Sequence, residues 1–232
     1  MVEAGCIQDT IPIINEALQN GKRVLAEGAN ALMLDVDFGT YPYVTSSSTM
    51  AGGICTGMGV SPDKIETVVG VCKAYTTRVG EGPFPSLIEG QMEQRLREIG
   101  GEFGATTGRP RLCGWLDLNL IKYGKWLNNY SSLNLTKLDC LSNLGDLDVV
   151  VSYEIDGKTL KGLPSDIDEW YKIKTKKVTL KGWTEDIADM RDYNQLPLAA
   201  RDYVEFIEKE TGIGVSWIGV GPDREGMIFK QP

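Results

Sequence analysis

Short apolar runs of strand length alternate with helical patterns along this chain, and that alternation restricts it to the α/β class. The helical stretches are Ile11 to Gln19, Leu87 to Ile99, Trp115 to Leu127 and Pro197 to Glu210. Their ends are marked: Pro12 and Pro197 sit near helix starts, and Asn20-Gly21, Gly100-Gly101 and Gly212 follow helix ends. Leu116, Leu120, Tyr123 and Leu127 share one face of the third helix. Ala199, Tyr203, Phe206 and Ile207 share one face of the last. Arg23 to Gly28, Glu66 to Tyr75, Leu133 to Thr136, Lys177 to Leu180 and Val215 to Val220 read as strands. Val149 to Leu160 reads as a hairpin turned at Asp156-Gly157, so the sheet is expected to be mixed. Gly39 to Gly59, dense in Gly, Ser and Thr, reads as a loop region that exposes backbone to a ligand.

With 232 residues and 42% hydrophobic content the chain can bury a sizeable core, as one large domain or two small ones. No run approaches the about 20 apolar residues of a membrane span, and no membrane partner is expected. Met1 to Cys6 has neither the basic region nor the apolar stretch of a signal peptide, so a cytoplasmic location is expected. The net charge is −8 and no Lys/Arg block stands out. That disfavours a nucleic-acid partner but not a small phosphorylated ligand. The five cysteines are scattered, odd in number and never C-x-x-C, which fits free thiols. There is no histidine, so Ser-His and Cys-His nucleophilic chemistry cannot come from these residues.

Thr136-Lys137-Leu138-Asp139, at the end of an expected strand, matches the [N/T]-K-x-D element of guanine-nucleotide-binding proteins. Guanine presents N1–H and N2–H₂ on one edge, and one carboxylate accepts both; adenine offers no such pair. Four residues also fit a strand end followed by a solvated turn. No G-x-x-x-x-G-K-[ST] phosphate loop occurs, and Gly157-Lys158-Thr159 lies in the hairpin turn. Ala105-Thr106-Thr107-Gly108-Arg109-Pro110-Arg111 places two guanidinium forks in a Gly/Thr loop, a pattern suited to a dianion and equally to a solvated surface loop. Gly28-Ala29-Asn30 ends an expected strand. Asp35, Asp37, Thr40 and Thr45 to Ser48 follow it, and the two carboxylates suit a metal, acid–base work or turn capping.

Taken together, these stretches resemble adenylosuccinate synthetase. The resemblance runs from Val24-Leu25-Ala26-Glu27-Gly28-Ala29-Asn30 through Asp37-Phe38-Gly39-Thr40-Tyr41-Pro42 and Lys73-Ala74-Tyr75-Thr76-Thr77-Arg78-Val79-Gly80. It continues through Glu102-Phe103-Gly104-Ala105-Thr106-Thr107-Gly108-Arg109, Cys113-Gly114-Trp115-Leu116-Asp117 and the Thr136 element, and ends at Gly219-Val220-Gly221-Pro222. The wording is closer to the eukaryotic branch. The resemblance implies the C-terminal part of a single synthetase domain over 1–232, with a P-loop-NTPase-like mixed sheet, flanking helices and a β-hairpin. It implies a GTP-dependent ligase that joins L-aspartate to IMP in AMP biosynthesis, and a homodimer in the full-length family. Asn30, Thr45 and Arg109 would contact IMP. Residues 105–111 would close over aspartate. Arg111, Lys137, Leu138, Asp139, Gly219, Val220 and Gly221 would hold GTP. The family's phosphate loop, catalytic base and acid, and Mg²⁺ ligands are expected in an N-terminal region preceding residue 1, so this chain by itself is expected to be inactive. The alternative is a catalytically inactive guanine- or purine-nucleotide-binding remnant. Relatives commonly carry basic residues where this chain has Pro110 and Leu112, and Pro removes a backbone donor there.

Overall fold

A computed structural model describes residues 5–104 and 108–230, and they divide after Val68 into two units. The first unit holds helices α1 (Thr10–Gln19) and α2 (Ala51–Met58). Asp9 caps α1, its side chain accepting the Ile11 N–H at 3.1 Å. Asn15 Nδ2 donates to the Gly59 carbonyl at 3.1 Å, tying α1 to the end of α2. Two expectations fail here. Residues 23–28 form no strand, and Leu25 is 94% exposed. An apolar run becomes a strand only beside a second one, and none pairs with it among the described residues. The Gly/Ser/Thr-rich stretch is also not all loop, because α2 occupies residues 51–58.

The second unit is built on a sheet ordered β1 (Val69–Lys73), β5 (Ser132–Thr136), β9 (Val215–Gly219), β10 (Met227–Phe229). The β1–β5 and β5–β9 pairs are parallel and β10 runs antiparallel, so the sheet is mixed as expected. A second ladder pairs β2 (Thr76–Arg78) with β3 (Leu112–Gly114). A third pairs β6 (Leu147–Ile155) with β4 (Leu116–Asp117), β7 (Lys158–Thr159) and β8 (Lys174–Leu180). Asp156 and Gly157 both have positive φ, the geometry that a two-residue hairpin turn requires.

Helices α3 (Gln91–Ile99), α4 (Leu118–Asn128), α5 (Ile167–Trp170) and α6 (Leu198–Thr211) complete the unit. α3 starts later than the sequence suggests. Ile88 N–H bonds to the Cys113 carbonyl at 3.1 Å and Trp115 N–H to the Ser86 carbonyl at 2.9 Å, so residues 86–88 run alongside β3 instead. α4 also starts late, because Leu116 and Asp117 pair with Val149 and Val150. Its buried stripe is therefore Leu118, Ile121, Gly124 and Asn128, displaced from the expected face. On α6 the buried residues are Ala200, Tyr203, Val204, Ile207 and Thr211, with Ala199 and Phe206 on the flank. Gly212 ends α6 in the left-handed region, and Lys125 of α4 donates to the carbonyls of Thr211 (3.1 Å) and Gly212 (2.8 Å). The apolar core of buried residues runs from Ala74 to Ile228, and Tyr203 donates to the Ala74 carbonyl at 2.6 Å.

Candidate functional site

The parallel strands β1, β5 and β9 finish at the same end of their sheet, where ligands of α/β proteins bind. Lys73 lies opposite Thr136, and the Ala74 N–H bonds to the Thr136 carbonyl at 2.8 Å. The chain then turns through Lys137 in the left-handed region, at φ 61°. Leu138 is fully buried, and its N–H bonds to the Gly219 carbonyl at 2.9 Å. That bond brings residues 136–139 beside Gly219, Val220 and Gly221. Val220 is buried, with its N–H spent on the Gly226 carbonyl at 2.7 Å. With Leu138, Cys140 and Leu141 anchored in the core, Asp139 is left half-buried at the start of a short 3₁₀ turn. Burial pushes its carboxyl above the usual range, against the pull of its own backbone N–H, the Cys140 thiol and Lys137. A half-buried carboxylate whose side-chain donor is one thiol at 3.8 Å suits a base edge carrying two N–H donors.

Next to this turn lies a residue to which the sequence reading gives no separate role. Glu102 is fully buried, and Lys73 Nζ reaches its two oxygens at 2.8 and 2.9 Å. Tyr75 donates its hydroxyl at 2.6 Å, Arg111 Nη1 donates at 2.8 Å and Lys137 Nζ is 3.2 Å away. Lys137 Nζ also donates to the Gly100 carbonyl. Burial alone would raise the Glu102 pKa, but Lys73, Tyr75 and Arg111 hold it down at about 2. Gly100 is required here: a Cβ would stand 2.2 Å from the Tyr75 hydroxyl. The sequence signal, a glutamate directly after Gly100-Gly101 and outside any helix, is visible only in hindsight.

Arg111 is braced through its backbone as well. Its N–H bonds to the Glu102 carbonyl, and its carbonyl accepts Arg97 Nε, both at 2.9 Å. Arg97 in turn pairs with Glu93, which accepts the Cys113 N–H at 3.0 Å. The buried Arg111 Nε has no acceptor among the described residues. The arginine loop closes through the Gly104 N–H to the Arg109 carbonyl and the Gly108 N–H to the Gly104 carbonyl, both 2.8 Å. Pro110 takes part in a β-bridge with Phe103, and Leu112 starts β3. Gly108, Arg109 and Pro110 are exposed, and the Arg109 side chain has no polar partner among the described residues. Ala105, Thr106 and Thr107 lie outside the described residues.

In the first unit, Asn30 takes a left-handed backbone (φ 67°) and donates its side-chain amide to Thr45 Oγ1 at 3.2 Å. The two residues expected at IMP in this stretch are therefore neighbours. Asp35 is fully buried and accepts the N–H groups of Asp37 (2.9 Å), Phe38 (3.0 Å) and Thr49 (2.7 Å). Burial raises its pKa, but these backbone bonds, Thr49 foremost, and the Ser48 side chain lower it further. Of the three roles open to Asp35, the turn cap is the one it fills. Among the described residues, no three His, Cys, Asp or Glu side chains cluster to hold a metal ion.

A protein-family model described as adenylosuccinate synthetase matches residues 2–228. An adenylosuccinate synthetase of Paramecium tetraurelia is 51% identical over 231 residues, covering 100% of this chain and 54% of that protein. The chloroplastic adenylosuccinate synthetase 1 of Sorghum bicolor is 53% identical over 225 residues, covering 97% and 46%. The chain thus spans about half the length of the curated relatives it matches. A solved structure of fully ligated adenylosuccinate synthetase from Plasmodium falciparum superposes with a TM-score of 0.95 at 44% identity, over 97% of this chain and 54% of that one. A cyanophage S-2L succinoaminodeoxyadenylate synthetase superposes with a TM-score of 0.60 at 18% identity, a likeness of fold alone.

Proposed function

The chain belongs to the adenylosuccinate synthetase family, and from that premise we propose that it reads guanine, captures aspartate and forms part of the IMP site of a GTP-dependent ligase. The reaction is IMP + L-aspartate + GTP to adenylosuccinate, GDP and phosphate, within AMP biosynthesis. The observation that carries this reading is the Leu138 N–H to Gly219 carbonyl bond, which sets Asp139 at the C-terminal end of the parallel strands. In the proposal the Asp139 carboxylate accepts guanine N1–H and N2–H₂, and Gly219 to Gly221 flank the base. Asn30 and Thr45 offer IMP an amide and a hydroxyl, with Arg109 as a third contact. Residues 105–111 take the aspartate carboxylates, with Arg111 also on the GTP side.

The family reaction first phosphorylates the 6-oxygen of IMP and then displaces that phosphate with the aspartate amine. Both steps depend on positioning and charge stabilisation. These residues supply recognition. No catalytic acid or base is assigned among them, and in the proposal the ligands of the family's Mg²⁺ come from its N-terminal region. The proposal places residues 1–232 within one synthetase domain, includes a homodimer for the whole enzyme, and puts it in the cytoplasm. No helix among the described residues is long and apolar enough to cross a membrane, and some relatives are chloroplastic by name.

The test is nucleotide preference. The parent chain is expected to bind GDP more tightly than ADP, and Asp139→Ala should lose roughly 1–3 kcal/mol of GDP affinity, up to about a hundredfold, without weakening ADP. Equal GDP affinity in parent and variant, measured by calorimetry, would remove the guanine assignment.

A further inference from the structure

Three cations from three separated stretches share the Glu102 carboxylate. Lys137 belongs to the turn after β5, Arg111 to the arginine loop, and Lys73 ends β1. Lys137 Nζ is 3.2 Å from Oε1, Arg111 Nη1 is 2.8 Å from Oε2, and Lys73 Nζ bonds to both oxygens. Glu102 has no exposed surface, whereas the side chains of Lys73, Arg111 and Lys137 are 26%, 29% and 35% exposed. The carboxylate therefore cannot meet a ligand, but each of its partners can.

We propose that Glu102 is a positioning residue that sets guanine-nucleotide affinity through Lys137 and couples that affinity to the Arg111 loop. The proposal rests on the reading of Thr136 to Asp139 as the guanine site. Its physical basis is charge balance at one point. Remove the negative charge and three cations are left converging on a neutral, buried group, where they repel. Lys137 Nζ then loses its anion and keeps the neutral Gly100 carbonyl, while backbone bonds at Thr136 and Leu138 hold the turn itself, so the side chain moves more than the chain. The coupling follows from sharing. A ligand that draws Arg111 away from Oε2 leaves the two lysines a larger share of the carboxylate, which changes the hold on Lys137. By linkage, guanine binding changes the readiness of Arg111 to leave.

The test is GDP binding to the 232-residue chain and to Asp139→Ala, Glu102→Gln, Lys137→Gln and the Glu102→Gln/Lys137→Gln double variant. Glu102→Gln keeps the shape and removes the charge, and should weaken GDP about tenfold. In the Lys137→Gln background the same change should cost less than about twofold, because non-additivity marks residues that act through one another. Glu102→Asp, which retains the charge, should recover part of the loss. No loss on Glu102→Gln, or an equal loss in both backgrounds, overturns the proposal; the guanine reading survives that result if Asp139→Ala still abolishes the preference for GDP over ADP. If Asp139→Ala leaves GDP binding intact, the reading falls and the proposal with it. Should Glu102→Gln lack the circular dichroism of the parent, Arg111→Gln and Lys137→Gln are measured singly and together. Non-additive effects on GDP then support a shared carboxylate, and additive effects overturn it.

Discussion

The two units of this chain are held together by different means. Among its described residues the first unit buries only Val60, Asp35 and Thr40, and it leaves Ile7, Ile11, Ile13 and Leu25 at least half exposed. Its organising group is one carboxylate, Asp35, that collects three backbone N–H bonds. The second unit has a continuous apolar core from Ala74 to Ile228, and its polar hub, Glu102, stands beside that core. A fold that rests on apolar burial loses stability in proportion to the volume removed. One that rests largely on hydrogen bonds loses stability when a buried acceptor that collects several of them is removed.

The largest expected effect tests the core side of this contrast. Leu135, fully buried on the central strand β5, should cost about 2–5 kcal/mol on truncation to Ala. Followed by amide exchange, the loss should appear throughout residues 69–230 and leave the amides of Asp37, Phe38 and Thr49 as protected as before. A joint loss of protection would show that the two units unfold together and break the comparison.

A smaller effect comes from the other side. Asp35→Ala leaves three N–H groups without their acceptor, at roughly 1–3 kcal/mol for a buried unsatisfied donor. Exchange at Asp37, Phe38 and Thr49 should speed up, while the melting of the second unit stays put. A lowered melting point for both units would contradict the assignment of Asp35 to the first unit alone.

Proton titration gives the smallest effect and sharpens the contrast by sign. Asp117, which caps α4 and accepts the Tyr153 hydroxyl, is pushed up to about 6 by burial, against the hydrogen bonds of Tyr153 and Asn119. Its folded pKa lies above its ordinary 3.8, so the cost of burying the charge is present above pH 6. That cost is relieved as pH falls toward 4. The second unit should therefore gain a few degrees of melting temperature, about 2–4 °C per kcal/mol, between pH 7 and 5. Asp117→Asn should abolish the gain. Glu102 and Asp35 work in the opposite sense. Both are depressed, so their stabilisation is complete above pH 4.5 and 3.8 respectively and is lost in stronger acid, for Glu102 as pH falls toward about 2. In the first unit the carboxyls of Asp35 and Asp63 are both lowered, so it should show no gain between pH 7 and 5.

What could be read from the sequence was whatever is decided locally. The Asp156-Gly157 turn and the helix closed by Gly212 each depend on residues within a few positions. The cap at Asp35 is local in its bonds from Asp37 and Phe38 but not in the one from Thr49, 14 residues on. The strand expected at 23–28 failed because a partner, not a pattern, makes a strand. The face of α4 was displaced because Leu116 and Asp117 pair with β6 and the helix begins after them, whereas α6 starts just after Pro197 and buries Tyr203 and Ile207 as expected, joined by Ala200 and Val204. Asn30 and Thr45 were paired by family resemblance, and nothing in their spacing foretold a hydrogen bond across 15 residues. Glu102 was illegible for the same reason: Lys73, Tyr75 and Arg111 stand 29, 27 and 9 residues from it, at no helical or strand period.

The convergence on Glu102 also makes these positions depend on one another. Lys73, Tyr75, Arg111 and Lys137 are encoded far apart, yet each has its electrostatic surroundings defined by the same buried oxygens. A lineage that replaced Glu102 would strand three positive charges at once, and one that replaced a single cation would change the balance felt by the other two. A substitution at any of these five positions therefore changes the surroundings of the other four, and its cost depends on which of them are still present.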